Sequence, residues 1–259
     1  MSLFISVRTD LIKLRRSAAL WLSVLGAGMI PFIFLLGMLF KPNGFANRYQ
    51  DHAWEGHLSQ GWQAFASFLL PMFVILISSL VTQIEYKNNT WKQVFASPQT
   101  LSSIFLAKYI CIGLMVVLLI ILFNIFLLGA GWLAGLVHPQ ILFAKSYLPW
   151  NWLLVTTGKA LLALLAIVSI QYWFSLRFRN FIVAIGLGLG LLIISMVAMN
   201  WEHVDKIPYA FPFLAFGNSV AELTGGEAAS ANFLWYSLVY FVGFTLLAFL
   251  DMRFRKERG

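Results

Sequence analysis

Four histidines and one cysteine, His52, His57, His138, His203 and Cys111, are the residues here whose types suit metal binding or nucleophilic chemistry. Their spacing does not organise them. His52 and His57 are five apart, which puts two imidazoles on different faces of a helix, and no His-Glu-x-x-His occurs. With Glu55 between them they are the one candidate constellation for a membrane-embedded enzyme or accessory protein. A single cysteine allows neither an intrachain disulfide nor a cysteine-cluster metal site. Ser169, Ser175 and Ser195 have no His–Asp partner in a shared segment, so nucleophilic hydrolysis lacks its base.

Nucleotide chemistry also lacks its residues. Thr157-Gly158-Lys159-Ala160 is missing the leading glycine and the following hydroxyl of a phosphate-binding loop. Gly186-Leu187-Gly188-Leu189-Gly190 imitates a dinucleotide loop but lies in an apolar run with no strand before it. The pairs Gly186/Gly190 and Ala184/Gly188 instead make small-xxx-small faces for close helix packing. Asn124, Gln171 and Asn200 are the polar residues inside apolar runs, and no acid lies in the middle of one. That disfavours a proton-coupled carrier. Asn124 and Gln171 read either as interhelical hydrogen-bonding residues or as candidates for lining a path. The expectation is therefore no catalytic residue, no metal site and no cofactor bound by this chain.

The composition says what would hold these residues. Of 259 residues, 60% are hydrophobic and 11% charged, against roughly a quarter charged in soluble domains. Six uncharged apolar stretches predict six transmembrane helices, at about 20–40, 64–83, 109–137, 155–176, 180–201 and 233–250. The uncharged part of the fourth begins at Ala160. About 20 residues cross a hydrocarbon core. The first stretch is too long for a signal peptide, and no small-x-small cleavage site follows it before Lys41. The reading is one all-α polytopic domain over 1–259.

The net charge is +8. Thirteen of the 18 Lys and Arg fall before span one, between spans two and three, between four and five, or after six. The positive-inside rule then puts both termini in the cytoplasm. Basic residues confined to span flanks leave no stripe for nucleic acid, so no nucleic-acid partner is expected. Trp54, Trp62, Trp150, Trp152, Trp201 and Trp235 fall at predicted outer ends or loops, the headgroup level such rings prefer.

Three segments are not simple spans. In residues 3–16, Leu3, Phe4, Val7, Leu11 and Leu14 recur at helical spacing, predicting an amphipathic helix at the cytoplasmic interface. Between spans two and three, Asn88 or Asn89 can cap a short helix. Trp91, Val94 and Phe95 share one face of it, and Pro98 closes it. Such a helix either floats in the interface or fits a groove on a partner. Asn88-Asn89-Thr90 also matches a glycosylation acceptor, which a cytoplasmic position would leave unmodified. Residues 207–216, interrupted by Pro208 and Pro212, are too short to span and predict a re-entrant or interfacial outer element. Lys41 to Gln63 reads as a polar outer loop turning at Pro42-Asn43-Gly44.

Six spans, cytoplasmic termini, the N-terminal helix and the run from Glu85 to Pro98 (Glu-x-Lys-Asn-x-Thr-x-Lys, then proline) resemble the type-2 permeases of ATP-binding-cassette (ABC) transporters. The nearest resemblance is to the branch for lantibiotic and bacitracin-type peptide export or immunity. It implies a permease without an ATPase site of its own, in a bacterial cytoplasmic membrane. It implies pairing with a second permease chain, identical or related, and docking on a separate ABC ATPase that binds ATP and Mg. The coupling helix would comprise Glu85, Lys87, Asn88, Asn89, Thr90, Trp91, Lys92, Val94 and Phe95, with Trp91, Val94 and Phe95 as apolar anchors. The N-terminal helix would be the elbow helix. The cargo would be an amphipathic or hydrophobic molecule: an antimicrobial peptide, an antibiotic or a lipid. An ATP-independent carrier is the remaining alternative.

Overall fold

A computed structural model describes residues 3–15, 17–49, 52–87, 100–178, 180–226 and 232–254. It is all-helical. The helices are α1 (Leu3–Leu14), α2 (Ala18–Phe40), α3 (Pro42–Tyr49), α4 (Ala53–Ala64), α5 (Leu70–Lys87), α6 (Leu101–Val137), α7 (Trp150–Arg177), α8 (Phe181–Val197), α9 (Phe211–Thr224) and α10 (Asn232–Phe254). Among the described residues, six helical segments are long and apolar enough to cross a membrane: α2, α4 with α5, α6, α7, α8 and α10.

Local sequence explains the boundaries. Thr100 caps α6, its side chain accepting from the Ser103 amide at 3.3 Å. Asn180 caps α8, accepting from the Ile182 amide at 2.9 Å. Both satisfy amides a helix start leaves unpaired. α9 ends at Gly225, whose φ of 69° is left-handed and suits glycine. Apart from α4, the long helices are predominantly apolar around their circumference, as membrane-crossing segments must be.

The segment 41–63 corrects the expected polar loop: among its described residues, 42–49 and 53–63 are helical. Pro42 opens α3 at a position where its missing N–H costs nothing. Tyr49, Trp54, Leu58 and Trp62 are buried and recur at near-helical spacing, so this stretch has an apolar face after all. One π-helical turn at Phe65–Leu69 joins α4 to α5, making the second long segment continuous from Ala53. α6 has 37 residues and is roughly 55 Å long. It is longer than one crossing needs, and Lys108 and Cys111 in its N-terminal part meet α1.

α7 is the hub. It packs chiefly on α10, and also on α5 and α9, while α2 lies along α6. The largest cluster joins α2, α4, α5, α6 and α7, with Phe65 stacked on Phe123 at 3.8 Å and Trp62 edge-on to Phe123 at 5.4 Å. A second cluster sits under α3, and a third joins α7, α9 and α10.

Candidate functional site

At one end of the bundle, α5, α7 and α10 finish and α6 and α8 begin. This end carries Lys87, Lys108, Arg177 and Arg253 and is called the basic end. Glu85 and Lys87 lie in the last turn of α5. Asn88, Asn89, Thr90, Trp91, Lys92, Val94 and Phe95, the remainder of the expected coupling helix, lie outside the described residues. The helix that leads into them is held firmly. The Tyr86 hydroxyl donates to the Leu176 carbonyl of α7 at 2.9 Å.

Deeper in the bundle, the same two helices share a polar junction. Gln171 of α7 is fully buried. Its amide nitrogen donates to Ser79 Oγ of α5 at 3.0 Å and to the Ala184 carbonyl of α8 at 2.9 Å. Its amide oxygen accepts from the Tyr209 hydroxyl at 3.3 Å. Ser175 Oγ donates to the Gln171 carbonyl at 2.7 Å and lies 3.2 Å from Ser79 Oγ. Burial pushes the Tyr209 phenol well above its usual range, so it stays a neutral donor. The segment after α8 thus returns into the bundle as far as Gln171. From there α9 runs back along α7, with Phe211 among Ala163 and Ala166, and Trp152 Nε1 donating to the Ser219 carbonyl at 2.8 Å. Glu222 meets Lys159 at 2.6 Å, so this lysine has a carboxylate partner.

Asn124 makes a second junction. It accepts from Trp62 Nε1 at 3.2 Å and donates to Thr157 Oγ1 at 3.1 Å, tying α4, α6 and α7. The sequence marked Gln171 and Asn124 as unusual by their position. The parts that Ser79, Ser175, Thr157 and Tyr209 play in these junctions were not legible, because hydroxyls are unremarkable in apolar helices and only packing reveals their partners.

α1 departs from the face expected of it. Leu14 and Ser6 are buried and Val7 packs inward, while Phe4 and Ile12 point outward. The helix lies against α6. Asp10 is 3.8 Å from the buried Lys108 ammonium, and Cys111 Sγ approaches the Val7 carbonyl at 3.8 Å. A charge near an apolar stripe faces inward here because Lys108 needs a carboxylate.

The histidine constellation is taken apart. His57 is not in a loop: it is fully buried in α4, its Nε2 2.9 Å from the Leu127 carbonyl and its ring among Trp54, Tyr49 and Phe143. His52 is exposed and pairs with Glu55 at 3.3 Å. Among the described residues no group of three or more His, Cys, Asp or Glu is placed to hold a metal ion. The tryptophans divide likewise. Trp54, Trp62 and Trp152 are buried with their N–H groups bonded, and Trp150, Trp201 and Trp235 are exposed.

The geometry is a set of helices joined by buried amides and hydroxyls, two of which lead directly to the 88–99 connection. Compared with models of protein families, residues 6–196 match the one described as "ABC-2 family transporter protein". Among curated proteins, none matches the chain.

Proposed function

The chain belongs to the ABC-2 transporter family, and from that premise we propose that it is the permease subunit of an ABC exporter. It pairs with a second permease chain and is driven by a separate ATPase that binds ATP and Mg. Its cargo is an amphipathic or hydrophobic molecule, with antimicrobial peptides of the lantibiotic and bacitracin kind as the first class to test. Its place is a bacterial cytoplasmic membrane, with the basic end inside. The observation that carries the reading is the family match over residues 6–196, which includes five of the six long helices.

Coupling then follows from connectivity. The stretch from Glu85 to Phe95 docks on the ATPase, with Trp91, Val94 and Phe95 in an apolar groove and Glu85, Lys87, Asn88, Asn89, Thr90 and Lys92 around it. Closure of the ATPase pair displaces this stretch. α5 passes the displacement to α7 through Tyr86–Leu176 and Ser79–Gln171. Gln171 passes it to α8 and to Tyr209. The segment from Tyr209 through α9 takes the part of a re-entrant element that moves with α7, and α1 that of the elbow helix. ATP shifts the equilibrium only as far as the ATPase contacts differ between the two orientations. Gln171 and Asn124 join the moving helices and lie beside the path.

The test is purification of the tagged chain from native membranes in mild detergent, identifying every chain that accompanies it. A stoichiometric ATPase that is lost from the Trp91→Ala/Phe95→Ala variant supports the reading. A chain that purifies alone under several mild conditions overturns it.

A further inference from the structure

α7 and α10 pack on each other and are bridged at the basic end by Arg177 and Asp251, but one side of their contact is left unfilled there. Between them lies a groove of about 590 Å³, within the roughly 300–1,000 Å³ of ligand pockets. Its apolar part is formed by Trp173 of α7 and by Gly243, Leu247 and Leu250 of α10. A side chain at Gly243 would meet open space. Leu247 and Leu250 are exposed, so the groove opens sideways. Its other end is ionic: Arg177 Nη1 donates to Asp251 Oδ1 at 3.0 Å, and both line the groove. Gly243 and Asp251 are eight residues apart on one helix, so about 12 Å separates the apolar floor from the charged end.

A groove in the side of a membrane helix pair, apolar toward the bilayer centre and ionic at the helix ends, has the polarity of a phospholipid. The ionic end carries both signs. A guanidinium binds phosphate with paired N–H groups. A carboxylate with acceptor capacity on both oxygens binds a primary ammonium. A headgroup that carries phosphate and ammonium side by side matches both. A quaternary ammonium has no N–H for Asp251, and a headgroup with only negative charge meets that carboxylate unfavourably. The geometry points to a site for one membrane phospholipid with an ethanolamine headgroup, its phosphate at Arg177, its ammonium at Asp251 and an acyl chain over Gly243. This rests on the membrane placement of α7 and α10 and not on the transport reading, so either can fail without the other.

The experiment is native mass spectrometry of the full chain, with whatever subunits accompany it, in micelles doped equally with phosphatidylethanolamine, phosphatidylcholine or phosphatidylglycerol. The expected result is at least threefold greater retention of phosphatidylethanolamine than of the other two by the unaltered protein. Asp251→Asn should bring it down to the phosphatidylcholine level. Gly243→Trp should reduce retention of bound lipid while the helical circular dichroism stays unchanged. Equal retention of the three lipids by the unaltered protein overturns the site, as does an ethanolamine preference that survives both substitutions. A disulfide between Leu247→Cys chains in native membranes would put a second copy in the groove and also overturn it.

Discussion

Gln171 and Gly188 occupy one space. The Gln171 amide oxygen stands where a Cβ on Gly188 would be, and the same Cβ would meet Ile75 at 2.9 Å. α7 and α8 approach this closely only because position 188 has no side chain, and the approach lets Gln171 reach the Ala184 carbonyl.

Gly188→Ala should therefore cost about 1–3 kcal/mol from overpacking, read as a lower unfolding temperature in detergent. Gly186→Ala and Gly190→Ala, which meet open space, should change it little. Combining Gly188→Ala with Gln171→Ala should cost less than the two changes summed, because they share one contact.

Asn124→Ala should lower stability by about 1–2 kcal/mol, since interhelical hydrogen bonds in membranes average about 0.6 and reach about 1.7 kcal/mol. It removes the partner of both Trp62 and Thr157. Thr157→Val keeps the side-chain shape and loses one of the two bonds, so it should cost about half as much. Chemical unfolding of the three proteins under one condition checks the order.

The docking of α1 should depend on Asp10. Asp10→Ala removes the carboxylate 3.8 Å from the buried Lys108, and a buried charge that loses a partner is costly. Amide exchange in residues 3–14 should rise several-fold, with α7 unaffected. Adding Lys108→Met should restore protection, because an apolar side chain there needs no partner.

The histidines should separate structure from chemistry. His57→Ala deletes a fully buried ring and its bond to Leu127, and should lower stability by about 2–4 kcal/mol as other buried-ring truncations do. His52→Ala and Glu55→Gln, a pair of an exposed imidazole and a half-buried carboxylate, should leave substrate export within about twofold. Export measured in inverted vesicles, with the unfolding temperature alongside, distinguishes the outcomes. Loss of export on changing His52 alone would favour an enzymatic outer loop.

The six long helices were legible because lipid leaves a chain few choices. Every backbone group must be bonded within the helix, and about 20 apolar residues are needed for each crossing. The stretch 41–63 was not legible as helix. Its apolar positions, Tyr49, Trp54, Leu58 and Trp62, are diluted by polar residues and glycines, and two of those, His57 and Gly61, are themselves buried once the helix forms. α1 was legible as a helix, but its inward face was not. Periodicity counts apolar residues, whereas Asp10 and Ser6 turn inward because of Lys108 and the α6 surface.

By itself the sequence determined the class: a chain of six membrane-crossing helices with a biased charge distribution. Those properties depend on composition and on separations of a few residues. Only the tertiary structure decided which polar residues meet. Gln171 finds Ser79, Ala184 and Tyr209 at separations of 92, 13 and 38 residues, and His57 finds Leu127 at 70. A buried amide or imidazole must take its partner from whatever helix packing brings to it, and no local pattern records that choice.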